Sequence, residues 1–204
     1  AMPSTLFLDG MDATVARAFE RTLDTLRAAG ATIDTIALPA VQDQPAHGFS
    51  APESYAWHRE WLQRAGGRYD PRVRARIEKG ATLMAWEYID LLQERQHWIA
   101  HMHEAIDGYD ALLSPTVPIV APPIGEVAPG AERDEAFFRA NALLLRNTSA
   151  VNLLDGCALS LPCHTRGELP VGLMVWHGAL RDDTVLNVGQ RIEELLNRTT
   201  IAIQ

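Results

Sequence analysis

The chain has 204 residues, 47% of them hydrophobic, with 18 Lys+Arg against 26 Asp+Glu and a formal net charge of −8. A net negative surface repels phosphate backbones and anionic headgroups, and no Lys/Arg cluster is large enough to reverse the sign locally, so nucleic-acid and membrane partners are not expected. No apolar run approaches the roughly 20 residues that span a bilayer, and Ala1-Met2-Pro3-Ser4 is not a basic segment leading into an apolar one. The expectation is a soluble, unexported protein whose 204 residues form a single domain or part of one, with Ala1 before Met2 taken as a cloning remnant.

Thr5-Leu-Phe-Leu8 is a short apolar run that ends at the turn signal Asp9-Gly10 and is expected to be the tail of a strand. Asp12 offers an N-cap to a helix through Ala29, with Val15, Phe19, Leu23 and Leu26 at helical spacing and Gly30 as the stop. Residues Ala31 to Leu38 then alternate imperfectly before Pro39 and predict a second strand. Strand, helix, strand is the mark of an α/β domain.

Between 42 and 69 the boundaries are hard to place, although Glu53 to Ala65 predicts a helix with Trp57 and Trp61 one turn apart, broken by Gly66-Gly67. Asp70-Pro71 opens a long helical pattern that continues to about Ile106 with an interruption at Gly80. Met84, Tyr88, Leu91, Leu92, Trp98, Ile99, Met102 and Ile106 share one stripe of that pattern, and Glu94, His97, His101 and Glu104 lie on the opposite one.

Tyr109 to Ser114 predicts a short buried strand, and Pro115, Pro118, Pro122 and Pro123 force an extended loop after it. A helix from about Asp134 to Arg146 follows. Two apolar runs, Ala158 to Leu161 and Val171 to Val175, flank the turn Arg166-Gly167-Glu168, and Asp182-Asp183 caps a last helix whose inner face carries Val185, Val188, Ile192 and Leu195. If the run between Cys157 and Cys163 is extended, their Cα atoms stand roughly 20 Å apart, beyond disulfide reach, and two reduced thiols suit a cytoplasm.

Three arrangements bear on chemistry. The Glu94/His97/His101/Glu104 face has the spacing of a metal site, but it lies opposite a full apolar stripe with no ligand from a defined loop, and a solvated polar face is the preferred reading. Ser160 and His164 lie on one face of an extended run yet about 13 Å apart, too far for a nucleophile and its base. Lys79, the only lysine, sits among Arg72, Arg74, Arg76 and Glu78 on a helix expected to be exposed, where an amine stays protonated and cannot act as a base. The P-loop, dinucleotide, zincin and paired-cysteine motifs do not occur.

Four segments in order are recognisable: Tyr109-Asp-Ala-Leu-Leu-Ser-Pro-Thr-Val-Pro118, Arg146-Asn-Thr-Ser-Ala-Val-Asn-Leu-Leu-Asp-Gly-Cys-Ala-Leu-Ser-Leu-Pro-Cys163, Leu169-Pro-Val-Gly-Leu-Met-Val175 and Asp182-Asp-Thr-Val-Leu186. Together they resemble the closing half of the amidase-signature hydrolases. Phe7-Leu-Asp-Gly-Met-Asp12 and the Asp70-Pro stretch to Gly80 extend the resemblance over nearly the whole chain. It implies an α/β fold, an α/β/α layered mixed sheet of which this is the C-terminal portion. It also implies enzymes that cleave carboxylic amides with a Ser, cis-Ser, Lys triad and a Gly-Ser-rich oxyanion loop, and no cofactor.

The triad and that loop belong to the family's first half, and this sequence holds neither the loop nor a lysine preceding one, so no catalytic residue carries over. What carries over is one wall of the substrate pocket: Pro115, Thr116, Arg146, Asn147 and Thr148. An arginine there is suited to a substrate carboxylate, the alternative being that Arg146 caps the C-terminus of its own helix. The family's proline after the strand-entry glycine is replaced by Cys157-Ala158 following Gly156, which leaves that turn less rigid.

The resemblance implies an inactive scaffold half of an amidase, with a small-molecule amide as substrate of the complete enzyme and the missing N-terminal catalytic half as partner. The alternative is a non-catalytic binding or assembly module derived from one. Either way, a chain without its covering half is expected to expose an apolar face and a sheet edge, and to self-associate or bind that half in trans.

Overall fold

The structure is a computed structural model that describes residues 1–45 and 50–201, with the side chains of 198–201 not described. In chain order the elements are β1 (Met2–Pro3), α1 (Ala13–Ala28), β2 (Thr35–Ile36), α2 (Ser50–Ala65), α3 (Pro71–Glu78), α4 (Ala85–Ala105), β3 (Leu112–Pro115), α5 (Ile124–Val127), α6 (Asp134–Leu153), β4 (Cys157–Pro162), β5 (Gly172–His177) and α7 (Asp182–Ile201). The chain divides into two compact units, residues 1–42 with 102–204, and residues 43–101. Among the described residues, no helix is long and apolar enough to cross a membrane.

The larger unit is built on β5. It runs antiparallel to β3 on one side and to β4 on the other, with Ser114 and Ser160 both opposite Met174. Beyond β3, the Ala1 ammonium donates to the Ala111 carbonyl and Leu113 N–H donates to the Ala1 carbonyl, which brings in β1, itself parallel to β2. The sheet is therefore mixed. Leu113, Leu161, Leu173 and Val175 point to one face, into a core with Val15, Phe19 and Leu23 of α1 and Val185 and Ile192 of α7. The opposite parity, Leu112, Met174 and Trp176, is also buried, and Phe7 stacks on Trp176 with ring centroids 5.1 Å apart. Cover on both faces leaves β5 with no solvent side, which is why Leu173 to Trp176 is an unbroken apolar run.

The helix α1 follows its sequence signals. The Asp12 carboxylate accepts from Val15 N–H at 2.8 Å, the Val15, Phe19, Leu23 and Leu26 stripe is buried, and Gly30 takes φ +94° just past the end. The hairpin β4–β5 and the long α7 also form where expected, with Val188 and Leu195 partly buried.

Three expectations are corrected. Residues 5–8 are not a strand: Leu6 has φ +66°, Phe7 N–H bonds the Thr5 carbonyl and Asp9 N–H the Leu6 carbonyl, so the apolar content serves a turn that plugs Phe7 against Trp176. Of residues 31–38 only Thr35–Ile36 pairs as strand. The helix predicted to stop at Arg146 continues to Leu153, because burial of Asn147, Ala150 and Val151 overrides the weak helix preference of Asn-Thr-Ser.

The end of α6 shows where the backbone demand falls before β4. Gly156 N–H donates to the Val151 carbonyl at 3.0 Å and Asp155 N–H to the Asn152 carbonyl at 3.2 Å, the paired bonds of a Schellman cap. The left-handed residue of that cap is Asp155, at φ +54°, rather than a glycine. Gly156 is needed for a different reason: a Cβ there would stand 2.5 Å from the His177 carbonyl oxygen.

The smaller unit is helical. Asp70 caps α3 by accepting from Arg72 N–H at 2.8 Å, and the expected interruption at Gly80 is a 3₁₀ turn, Lys79–Thr82. Gly80 is buried there because the Ala51 backbone occupies the place of a Cβ. Trp57, Trp61 and Trp86 are exposed.

Two measurements check this account. Asp155→Gly removes a side chain from a left-handed position that costs about 1 kcal/mol, and is expected to raise the urea midpoint with an unchanged slope. The Arg21 guanidinium of α1 grips Glu168 in the β4–β5 turn at 2.7 Å and holds its carboxyl at about 2. A carboxyl lowered by folding stabilises above its unfolded value of 4.5 and loses that contribution as pH falls toward 2. The pair is partly solvated, so the loss is at most about 1 kcal/mol. Glu168→Gln is expected to abolish this component of the acid sensitivity in urea titrations between about pH 5 and pH 2.

Candidate pocket wall

The strand β3 ends at Pro115 and hands over to the proline loop, and three segments converge there. Asn147, on the inner side of α6 and fully buried, donates through Nδ2 to the Pro115 carbonyl at 2.8 Å and to the Phe7 carbonyl at 3.1 Å. Its Oδ1 accepts from Arg146 Nε at 3.1 Å. The Arg146 guanidinium continues the network to the Asp9 carbonyl at 2.7 Å and the Phe7 carbonyl at 3.3 Å. Because Pro115 faces away from β5 in the ladder, its carbonyl has no strand partner on that side, and Asn147 satisfies it.

The proline loop is fixed from its other end by Asp12. While one carboxylate oxygen caps α1, the other accepts from Val120 N–H at 2.7 Å, and Asp12 N–H donates to the Pro118 carbonyl at 2.9 Å. An extended segment rich in proline cannot supply its own ladder, so its orientation comes from these outside groups.

Thr116 turns to a different partner. Its hydroxyl shares a 2.6 Å hydrogen bond with that of Ser160 on β4, across Gly172 of β5. A Cβ on Gly172 would come within 2.6 Å of the Ser160 oxygen and 2.7 Å of the Thr116 oxygen, so only glycine fits beneath the pair. This end of the sheet face is open, with Ser160 exposed.

Of the five residues expected to line the pocket, Pro115, Arg146 and Asn147 thus form one network and Thr116 borders it, whereas the Thr148 hydroxyl donates to the Leu145 carbonyl of its own helix. The reading of Arg146 as a C-terminal cap is corrected, since it lies within α6, well before the end at Leu153. Burial lowers the Arg146 guanidinium from its ordinary value, opposed by the Asp9 carboxylate, and it remains a cation at neutral pH. Three of its five N–H groups are spent on the network, which leaves two for another acceptor.

Ser160 and His164 do not meet: the His164 ring is engaged at Nδ1 with the Val171 backbone, 3.3 Å from its nitrogen. Lys79 is exposed at the edge of a cavity of about 650 Å³ in the helical unit, lined also by Ser50, Ser54 and Arg76, with no hydrogen bond from its amine among the described residues. The His97 and His101 face is solvent-exposed, and among the described residues no three His, Cys, Asp or Glu side chains converge on a metal position. Sequence reasoning passed over Asp12 as a loop anchor, the carbonyls of the 7–9 turn and the Thr116–Ser160 pair. Only the first had a local signal, and that signal was already explained by helix capping.

Asn147→Ala is expected to destabilise the chain by about 2–3 kcal/mol in urea unfolding, because it leaves the Pro115 carbonyl buried without a donor and Arg146 Nε without its acceptor. Asn147→Asp is expected to cost more at neutral pH, a carboxylate then facing two carbonyl oxygens.

A family model described as Amidase matches residues 1–186. The chain is 28% identical over 221 residues to a glutamyl-tRNA(Gln) amidotransferase subunit from Acidobacterium capsulatum, covering 95% of this chain and 45% of that protein. It is 27% identical over 202 residues to the 2-amino-5-chloromuconic acid deaminase of Comamonas testosteroni, covering 97% of this chain and 43% of the other. It superposes on a crystal structure of an amidase with TM-score 0.70 at 28% identity, over 92% of this chain and 43% of that one. The fold is also that of the Kluyveromyces lactis allophanate hydrolase, with TM-score 0.82, 21% identity and 96% of this chain covered against 31% of the other. The chain therefore spans less than half the length of these proteins. With the family model matching residues 1–186, the chain belongs to the amidase family.

Proposed function

We propose that these 204 residues are the C-terminal portion of an amidase whose complete form hydrolyses a carboxylic amide to an acid plus an amine or ammonia. This portion supplies scaffold and one wall of the substrate pocket and is inactive alone. What carries the reading is the combination of a family match over residues 1–186 with a sequence whose single lysine is exposed and which has no Gly-Ser-rich loop. Acyl transfer through a serine needs a base and oxyanion donors beside the nucleophile. In this reading they come from an N-terminal catalytic half.

In this reading the pocket wall is Pro115, Thr116, Arg146, Asn147 and Thr148, with Thr148 contributing only the surface of its helix turn because its hydroxyl is spent on the Leu145 carbonyl. Asn147 and Asp12 orient the loop and make no contact with the reacting atoms. Thr116 offers a hydroxyl to a polar substrate atom by exchanging its bond with Ser160, and the two unspent N–H groups of Arg146 receive a carboxylate at the far end of the amide. No cofactor is required. A reducing cytoplasm suits Cys157 and Cys163, unpaired thiols whose pKa burial raises, which keeps them protonated and inert.

The isolated chain is expected to show no turnover on a panel of simple aliphatic and aromatic amides, followed by ammonia or amine release. Turnover by this chain alone that a serine-directed phosphonate abolishes would overturn the reading.

A further inference from the structure

The end of the sheet away from the proline loop carries a second conclusion, one that stands whatever reaction the chain serves. His177, the last residue of β5, has both ring nitrogens engaged by backbone. Gly178 N–H donates to Nδ1 at 2.7 Å, and Nε2 lies 3.1 Å from the Tyr109 carbonyl oxygen. A carbonyl accepts and an amide N–H donates, so these partners assign the tautomer: the proton is on Nε2 and Nδ1 keeps its lone pair. The imidazolium would carry an N–H at both nitrogens and set one of them against the Gly178 N–H. This arrangement therefore takes the neutral ring only. Burial pushes His177 below its ordinary value of 6.5, and the Tyr109 carbonyl pulls the other way. Of the charged and titratable groups around it, Arg181 before α7 and His103 on α4 disfavour a positive ring, and Asp107 favours one. The Cys157 thiol, opposite His177 on β4, is pushed up by burial and stays neutral.

The turn that follows His177 is fastened by three side chains. The His177 ring takes the Gly178 N–H, the Cys157 thiol donates to the Gly178 carbonyl at 3.4 Å, and the His103 ring packs over the glycine. A Cβ on Gly178 would stand 2.6 Å from His103 Nε2, so only glycine admits that ring. Two residues on, Leu180 has φ +62° and is 93% exposed, a left-handed backbone that neither a glycine nor burial of the side chain supports. The fastenings at Gly178 hold this strained turn in place, and α7 begins directly after it at Asp182. We propose that His177 is a pH-sensitive latch: neutral, it pins the turn between β5 and α7, and on protonation it lets go of the Gly178 N–H and frees the turn with the sheet intact. Because the latched ring is neutral, it contributes in full above 6.5, where the unfolded histidine is neutral as well. The contribution is lost as pH falls below that value, since the unfolded chain takes up the proton first. At the other end of β5, Thr116 N–H donates to the Gly172 carbonyl at 2.8 Å, a bond between backbone groups that does not depend on the ring.

Proton–nitrogen correlation NMR of the chain from about pH 8 to about pH 4.5 reads the latch directly. The ring nitrogens of His177 are expected to report the Nε2–H tautomer at the upper end and to titrate below 6.5. Through the same transition the Gly178 amide is expected to lose about tenfold in hydrogen-exchange protection, with the intrinsic pH dependence of exchange divided out, as one backbone hydrogen bond is released. The Val175 amide in the ladder and the Thr116 amide at the far end are expected to keep theirs. His177→Asn sets a non-titrating acceptor near the Nδ1 position and is expected to hold the Gly178 protection constant over the range. His103→Gln removes the neighbouring titration and is expected to leave the Gly178 transition in place. A His177 ring that titrates at or above 6.5, or that carries its proton on Nδ1, overturns the proposal. So does Gly178 protection that is flat with pH in the unaltered chain, or a transition that survives His177→Asn and is lost with His103→Gln. The titration of the unaltered chain decides the matter should the asparagine variant not fold. Failure here leaves the amidase reading standing, and amide turnover by the chain alone would leave this latch standing.

Discussion

Residues 172–177 divide their backbone hydrogen bonds between two neighbours, the even positions with β3 and the odd ones with β4, and the rest of the larger unit is arranged around that division. A strand paired on both sides and buried on both faces must be apolar at every position. Leu173, Met174, Val175 and Trp176 meet that demand, each at most 2% exposed. Covering its two faces takes α1 and α7 on one side and the Phe7 turn on the other. The layered architecture follows from the requirement that β5 meet no water.

The polar features sit where this strand's neighbours run out of partners. At the end of β3 the Pro115 carbonyl has lost its strand, and a fully buried asparagine from α6 replaces it. Asn147 is costly to bury, and it is retained because three groups, two carbonyls and a guanidinium, are satisfied by one amide. At the outer side of β4 no such replacement exists among the described residues. The β3 side is closed by Ala1 and Asn147, whereas β4 pairs only with β5 among the described residues.

Much of the architecture is legible in the residues. The capping of α1 by Asp12, the break at Gly80, the β4–β5 hairpin and the apolar face of α7 depend on interactions within a few residues, which is the range over which sequence patterns operate. The turn at 5–8 is misread because an apolar run looks the same whether its side chains pack as a strand or one of them plugs a distant tryptophan. The end of α6 is misread because Asn147, a residue type that often stops a helix, is here buried against the Phe7 carbonyl, more than a hundred positions away. At the strand-entry turn, sequence draws attention to Gly156, whereas the left-handed conformation falls on Asp155 and Gly156 answers to a steric contact with His177.

The candidate wall divides the same way. The residue types at 115, 116 and 146–148 stand out by resemblance, but whether each side chain faces a pocket, a carbonyl or its own helix is settled by which loops lie beside it. Sequence alone determined the family, the helices α1, α6 and α7 with the β4–β5 pair, and the want of a Gly-Ser-rich loop, because these are properties of composition and local order. Only the tertiary structure decided that Arg146 and Asn147 hold the 7–9 turn and that Thr148 turns back on its own helix. It alone set the alternation by which β5 bonds β3 at its even positions and β4 at its odd ones, since ladder parity exists only once strands far apart in the chain are set side by side.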